Sequence, residues 1–294
     1  MLSNVYQIDK CSIISNNANK DGGGVIGRGG NTQITNSIIS GNTAIDNHGG
    51  GVYVYREKNN SKAYLTMSGC IVSGNKAAAE GGGLRVATYL NGNESNEGDS
   101  KRVELFASIY NCTFSGNKAG NGGGIYRHEA RSQLDVVNSI IWGNSSSIKG
   151  GEVVRMNVSY SVVEGGFNGN NITFDPLFVD QPSYLLAPFT GGDFQLQSCS
   201  EARNSGTSND IKVDPIDVAG NPRVVGIIDR GAYEYLIETT PSRNWYVKEN
   251  GYGDGSSWAN ASGDFQDMIN KAQCADKIFV AKGIYVPIRK ANDL

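Results

Sequence analysis

Histidine is nearly missing from this 294-residue chain, which has only His48 and His128. Neither has a ligand partner at metal-binding spacing, so both are read as surface residues and no metal is expected. Charge of one sign is also lacking: 26 Lys and Arg stand against 29 Asp and Glu, a net charge of -3. Without a basic field the chain has nothing to hold a phosphate backbone, which excludes nucleic-acid binding by bulk electrostatics. No apolar run reaches the roughly 18 residues of a membrane-spanning helix. The opening MLSNVYQIDKCSIIS lacks a basic segment leading into an apolar stretch, so it is not expected to be a signal peptide. What the chain does have is glycine (39), asparagine (31) and serine (28), together one residue in three. Disorder throughout is nevertheless excluded, because 38% hydrophobic residues and 14 tyrosines suffice for a core.

The surplus is periodic. CSIISNN (11–17), NSIISGN (36–42), GCIVSGN (69–75), NCTFSGN (111–117) and NSIIWGN (138–144) share a small Ser or Cys, two mostly β-branched residues and an Asn, with a weaker copy at YSVVEGG (160–166). After each of the first five comes a glycine cluster leading into aliphatics: DGGGVI, HGGGVYV, EGGGLRV, NGGGIYR and KGGEVVR. Taking Ser12, Ser37, Cys70, Cys112, Ser139 and Ser161 as the register, the spacings are 25, 33, 42, 27 and 22. No unit carries a helical period, whereas short β-branched runs between Gly and Asn fit strands. Recurrence of the same residue type at the same place requires stacking in register. The fold expected is an all-β, right-handed, single-stranded parallel β-helix.

In a narrow coil the small Ser/Cys slots and the large Ile14, Ile39, Val72, Phe114 and Ile141 are placed inside. Asn17, Asn42, Asn75, Asn117 and Asn144 are assigned to a corner, as a structural ladder in which each amide bonds to its neighbours above and below. The turns occupy 1–166. Their longer units carry polar inserts at 55–62 and 89–102, side by side at one corner; such inserts often mark the binding side of a solenoid, and the equally good plain alternative is loops that the fold tolerates at little cost. Residues 167–235 change pattern and are assigned to a C-terminal capping region, since an open coil end exposes strand edges and apolar interior. LIETTPSRN (236–244) is a linker. Residues 245–294 begin a further module, with a helix at about 263–274 from the 3.6 period of Phe265, Met268, Ile269 and Ala272. The first module starts inside a turn and the last stops unfinished, so a piece of a longer protein is expected.

FSGN followed by GGGIY (114–117, 122–126) resembles the Phe-x-x-Asn and Gly-Gly-Ala-Ile repeats of chlamydial polymorphic outer-membrane proteins. The whole order is similar to the right-handed parallel β-helix surface proteins common in Bacteroidetes. In those, a stretch like DVAGNPRVVGIIDRGAYE (217–234) closes a coil and one like WYVKENGYGDGSSWANA (245–261) starts it. One departure is SEARNSG (200–206), where the family has Ser-Pro-x-Ile-Asp-x-Gly. The resemblance implies an extracellular or cell-surface location.

Many β-helix proteins cleave acidic polysaccharides. Asn-Thr-Asp, Asp-Asp and Gly-His-Gly of polygalacturonase-type hydrolases are absent, and the acids on regular turns (Asp46, Glu80, Asp135, Glu164) fall in no matched column. Catalytic residues are therefore not assigned, and no cofactor is called for. After the glycines, equivalent outer positions read Ile26, Tyr53, Arg85, Tyr126 and Val154. Tyr53, Arg85 and Tyr126 form a candidate ligand column, two aromatics flanking a guanidinium, able to stack on a sugar ring; the plain alternative is cross-strand stacking with no ligand. The five cysteines form no disulfide framework, and Cys70 and Cys112 are expected as buried thiols. The function expected is non-catalytic adhesion or contact with a polysaccharide or host glycan. The alternatives are a polysaccharide lyase or hydrolase and a structural spacer.

Overall fold

The computed structural model describes residues 5–56, 62–88, 104–128, 131–150, 155–209, 213–236, 242–272 and 276–286. The chain divides into two compact units, Met1–Leu236 and Ile237–Leu294. The first is an all-β parallel solenoid whose turns each carry up to four short strands, stacked on their equivalents in the next turn.

Sheet A consists of Val5–Asp9, Asn31–Thr35, Ala63–Ser68, Leu105–Tyr110, Ser132–Val137 and Met156–Ser159. Sheet B stacks Ser12–Ile14, Ile38–Ser40, Ile71–Ser73, Thr113–Ser115, Ile140–Trp142 and Val162–Val163. A two-residue sheet C follows (Asn17–Ala18, Thr43–Ala44, Lys76–Ala77). Sheet D is the glycine-led strand: Val25–Arg28, Val52–Arg56, Leu84–Thr88, Ile125–Arg127 and Ile148–Gly150. Inward residues of A, B and D make one continuous core that includes Ile39, Leu65, Val72, Leu84, Ile109, Phe114 and Ile141.

The sequence repeats mark sheets B and D. Sheet A, with the longest strands, carries no repeated residue and is legible only as alternation: in LFASIY, Leu105, Ala107 and Ile109 are buried while Phe106, Ser108 and Tyr110 stay partly open.

Three registers differ from the sequence expectation. In the first turn Ser12 pairs with Ile38 and Ile13 with Ile39, so the inward residue is Ile13 and Ile14 faces out, 48% exposed. The corner amide there is Asn16, and Asn17 instead pairs with Thr43 in sheet C. In the fifth turn Ser145–Ser147 take the glycine place: Ser147 O accepts from Ile125 N, and Ile148 pairs with Ile125. Lys149, not Val154, stands beside Tyr126; Val154 and most of both inserts lie outside the described residues.

Left-handed backbone falls one residue before each ladder Asn, at Ser15, Gly41, Gly74, Gly116 and Gly143, rather than on the Asn. At Gly74 (φ +58°) a β-carbon would also strike the Phe189 carbonyl and ring, so glycine is required twice over.

Phe189 belongs to the region expected to cap the coil. It lies instead along the flank. Phe178, Phe194, Leu196, Ala202 and Ala232 form a second core with Ile71, Ile140 and Val162, the outward residues of sheet B. Backbone bonds tie it down from Phe189 N to Gly74 O (3.0 Å) and from Gly231 N to Asn138 O (2.7 Å). The physical reason is in the repeat: two consecutive β-branched residues make sheet B apolar on both faces, and the outer one needs cover. Over the coil end, Phe167 packs on the interior core. Within the flank segment, the carboxylates of Asp217, Asp229 and Glu234 accept backbone N–H bonds around the buried Arg223, which donates to Gly231 O.

Cys11, Cys70 and Cys112 are free thiols, whereas Cys199 is disulfide-bonded. Among the described residues no helix is long and apolar enough to cross a membrane.

In the second unit Asn244–Val247 pairs in parallel with Lys277–Val280. The helix spans Phe265–Lys271, and Asp264 caps it by accepting from Asp267 N at 3.0 Å. Of its expected apolar stripe only Met268 is buried; Phe265 and Ile269 are exposed.

Candidate functional site

Tyr53, Arg85 and Tyr126 do stand in register on the outer face of sheet D. They are not an open platform. Tyr53 is 1% exposed and Arg85 4%. The Arg85 guanidinium lies over the Tyr53 ring, 4.9 Å from its centroid, donates to the Tyr53 hydroxyl, and donates through Nε to Glu80 Oε2 at 2.9 Å. Burial of Tyr53 and Arg85 leaves neither the ring face nor the guanidinium open to a sugar, and two of the guanidinium's five N–H groups are already bonded within the protein; Tyr126 alone stays partly open. His48 joins the cluster, with Nδ1 3.4 Å from the same Glu80 oxygen. Burial lowers its pKa, helped by Arg85 and opposed by Glu80 and Asp21.

The Asn corner is fully bonded. Each of Asn42, Asn75 and Asn117 receives on Oδ1 both the backbone N–H and the amide N–H of the Asn one turn earlier, at 3.0 Å for Asn42 and Asn75. Asn144 accepts the same pair from Asn117 at 2.9 Å. The second amide hydrogen returns to a carbonyl of the preceding turn, as from Asn75 to Ile39 O at 2.9 Å. These residues are buried and satisfied and hold nothing else. A second ladder runs through the Ser/Cys slot, where Cys112 N donates to Ser139 Oγ and Ser139 N to Ser161 Oγ, both at 3.1 Å.

An accessible combination of aromatic and polar side chains lies on sheet A. Register brings Asn31, Tyr64, Phe106 and Gln133 into one outward column. Tyr64 and Phe106 stack across adjacent turns, centroids 5.5 Å apart and planes 13° from parallel. Tyr64 is 40% exposed, and its neighbour on the other side is the much smaller Asn31. Lys62 Nζ lies 5.3 Å from the Phe106 centroid. The next outward column is Gln7, Gln33, Thr66, Ser108, Asp135 and Asn157. Here Gln133 Nε2 donates to Asp135 Oδ2 at 2.9 Å, and burial raises the Asp135 pKa while the Gln133 and Asn157 amides pull it down. The described strands of this face contribute outward amides, hydroxyls, aromatic rings and the Asp135 carboxyl.

Sequence reading missed Tyr64 and Phe106. Each lies six residues before its Ser/Cys slot, Cys70 and Cys112, so counting back from the repeat would have aligned them.

No protein-family model matches the chain, and no curated protein matches its sequence.

Proposed function

We propose that this chain is a non-catalytic β-solenoid module working at the cell surface or outside the cell, and that the outer face of sheet A contacts polysaccharide. The observation that carries this reading is the cross-turn stack of Tyr64 on Phe106 beside a column of hydrogen-bonding side chains that are amides and hydroxyls apart from the Asp135 carboxyl. Sugar rings present C–H faces to aromatics and hydroxyls to amides, which is the chemistry this face offers. Stacked turns repeat about every 4.8 Å, so successive turns can meet successive sugars of an extended chain. The bonded Cys199 suits an oxidising compartment, in line with the location that the family resemblance implies.

The test is affinity electrophoresis of the full chain through gels cast with a neutral β-glucan, a mannan or a xylan. Retardation in at least one supports the reading. Unchanged mobility in all, together with no binding to immobilised host glycans, leaves the spacer reading.

A further inference from the structure

The second unit carries a cleft of about 580 Å³, within the range of small-ligand sites. Trp245, Arg243, Asp254, Ser256 and Lys271 line it. We propose that this cleft binds a carboxylated saccharide, a hexuronate unit, with the sugar against Trp245 and its carboxylate on Arg243.

The indole is held in place before any ligand arrives. Its Nε1–H donates to Asp276 Oδ2 at 2.8 Å, and Gly255 leaves no room for a β-carbon between the ring and Met268. Arg243 is anchored by its backbone N–H to Asp276 Oδ1 at 2.7 Å, while its guanidinium is exposed and makes no bond or ion pair among the described residues. A free guanidinium fork fits a planar carboxylate. Asp254 uses Oδ1 for the Ser256 N–H and hydroxyl, at 3.0 and 2.6 Å, leaving Oδ2 to accept sugar hydroxyls. Lys271 pairs with Asp267 at 2.7 Å and keeps further donors on its ammonium.

The mixture selects the ligand class. A simple anion has no use for the indole or for Asp254. Phosphorylated ligands would bring a second negative charge toward Asp254, and a neutral sugar would leave Arg243 unpaired. This cleft does not rest on the sheet A reading and shares no residue with it.

Isothermal titration of the full chain with trigalacturonate and with glucuronate oligosaccharides, against a neutral cello-oligosaccharide of equal length, tests the proposal. The expected result is uronate binding that weakens in salt, falls roughly tenfold in Arg243→Gln, as for loss of one charge-assisted pair, and falls in Asp254→Asn. Tyr64→Ala with Phe106→Ala should leave it unchanged, which separates this site from sheet A. Absence of uronate binding, equal binding of the neutral oligosaccharide by the Tyr64→Ala, Phe106→Ala variant, or uronate binding indifferent to Arg243→Gln would overturn it. Arg243 is exposed, so its variant is expected to fold.

Discussion

Asn75 Oδ1 accepts two hydrogen bonds from Asn42, one from its backbone N–H and one from its amide, each at 3.0 Å. One buried oxygen thus joins two turns of the solenoid and closes a corner without water. Removing it orphans both Asn42 donors and takes the amide bond away from Ile39 O. Asn75→Ala is expected to cost about 2–4 kcal/mol in denaturant unfolding, the scale for leaving several buried polar groups unpaired. In the first turn the register makes Asn16 the ladder residue, so Asn16→Ala should lower the melting temperature more than Asn17→Ala. Equal effects would contradict the register.

The flank segment should be as much a part of the fold as the coil. Phe194 meets Phe178 edge-on at 5.4 Å and is 4% exposed over sheet B. Phe194→Ala is expected to cost about 3–5 kcal/mol, as for other buried aromatics. In hydrogen exchange the loss of protection should reach Ile71 and Ile140, whose outer faces that segment covers. If protection were lost only within 172–236, the segment would be a separate appendage.

Tyr53 should matter for stability and not for ligand. Because Arg85 binds its hydroxyl and sits over its ring, Tyr53→Ala removes a buried aromatic and leaves the guanidinium short of a partner. A loss of about 3 kcal/mol or more is expected. Polysaccharide retention, scored on the folded fraction, should not change. Loss of retention with full stability would return the site to sheet D.

Glu234 gives a pH dependence with a definite sign. Burial pushes its carboxyl up to about 7 from 4.5, against hydrogen bonds from the Val225 and Asp229 N–H groups. A raised folded pKa means the folded state holds the proton longer. Its contribution, about 3 kcal/mol, is therefore complete below about pH 4.5 and lost as pH rises through about 7. Asp229, raised by burial, acts in the same direction. His48 acts oppositely: its lowered pKa costs stability as pH falls below 6.5. Melting temperature should be higher near pH 6 than near pH 8, and the Glu234 carboxyl carbon should titrate with a midpoint near 7. A midpoint at the ordinary 4.5 would contradict the burial argument.

Much of the architecture was legible because a stacked fold writes itself as repetition. Ladder residues such as Asn75 and slot residues such as Cys112 must recur, since each is the partner of its own copy. Tyr64 and Phe106 were not legible in that way. Outward positions of sheet A have no partner constraint strong enough to fix a residue type, so Asn31, Tyr64, Phe106 and Gln133 differ although they share one column. The first-turn register was off by one because SII gives Ser12 and Cys11 equal claim to a small slot. Burial of Arg85 was out of reach of local sequence, because its partner Tyr53 is a whole turn earlier.

Retention of wild type against the Tyr64→Ala, Phe106→Ala double variant, in a gel containing a neutral polysaccharide that slows the wild type, tests the central claim most directly. Tyr64 is exposed and Phe106 half-buried, so the double variant is expected to keep the far-ultraviolet spectrum of the parallel sheets, checked in the same samples. The account predicts that the folded variant migrates as if no polysaccharide were present. Retardation equal to wild type would contradict it.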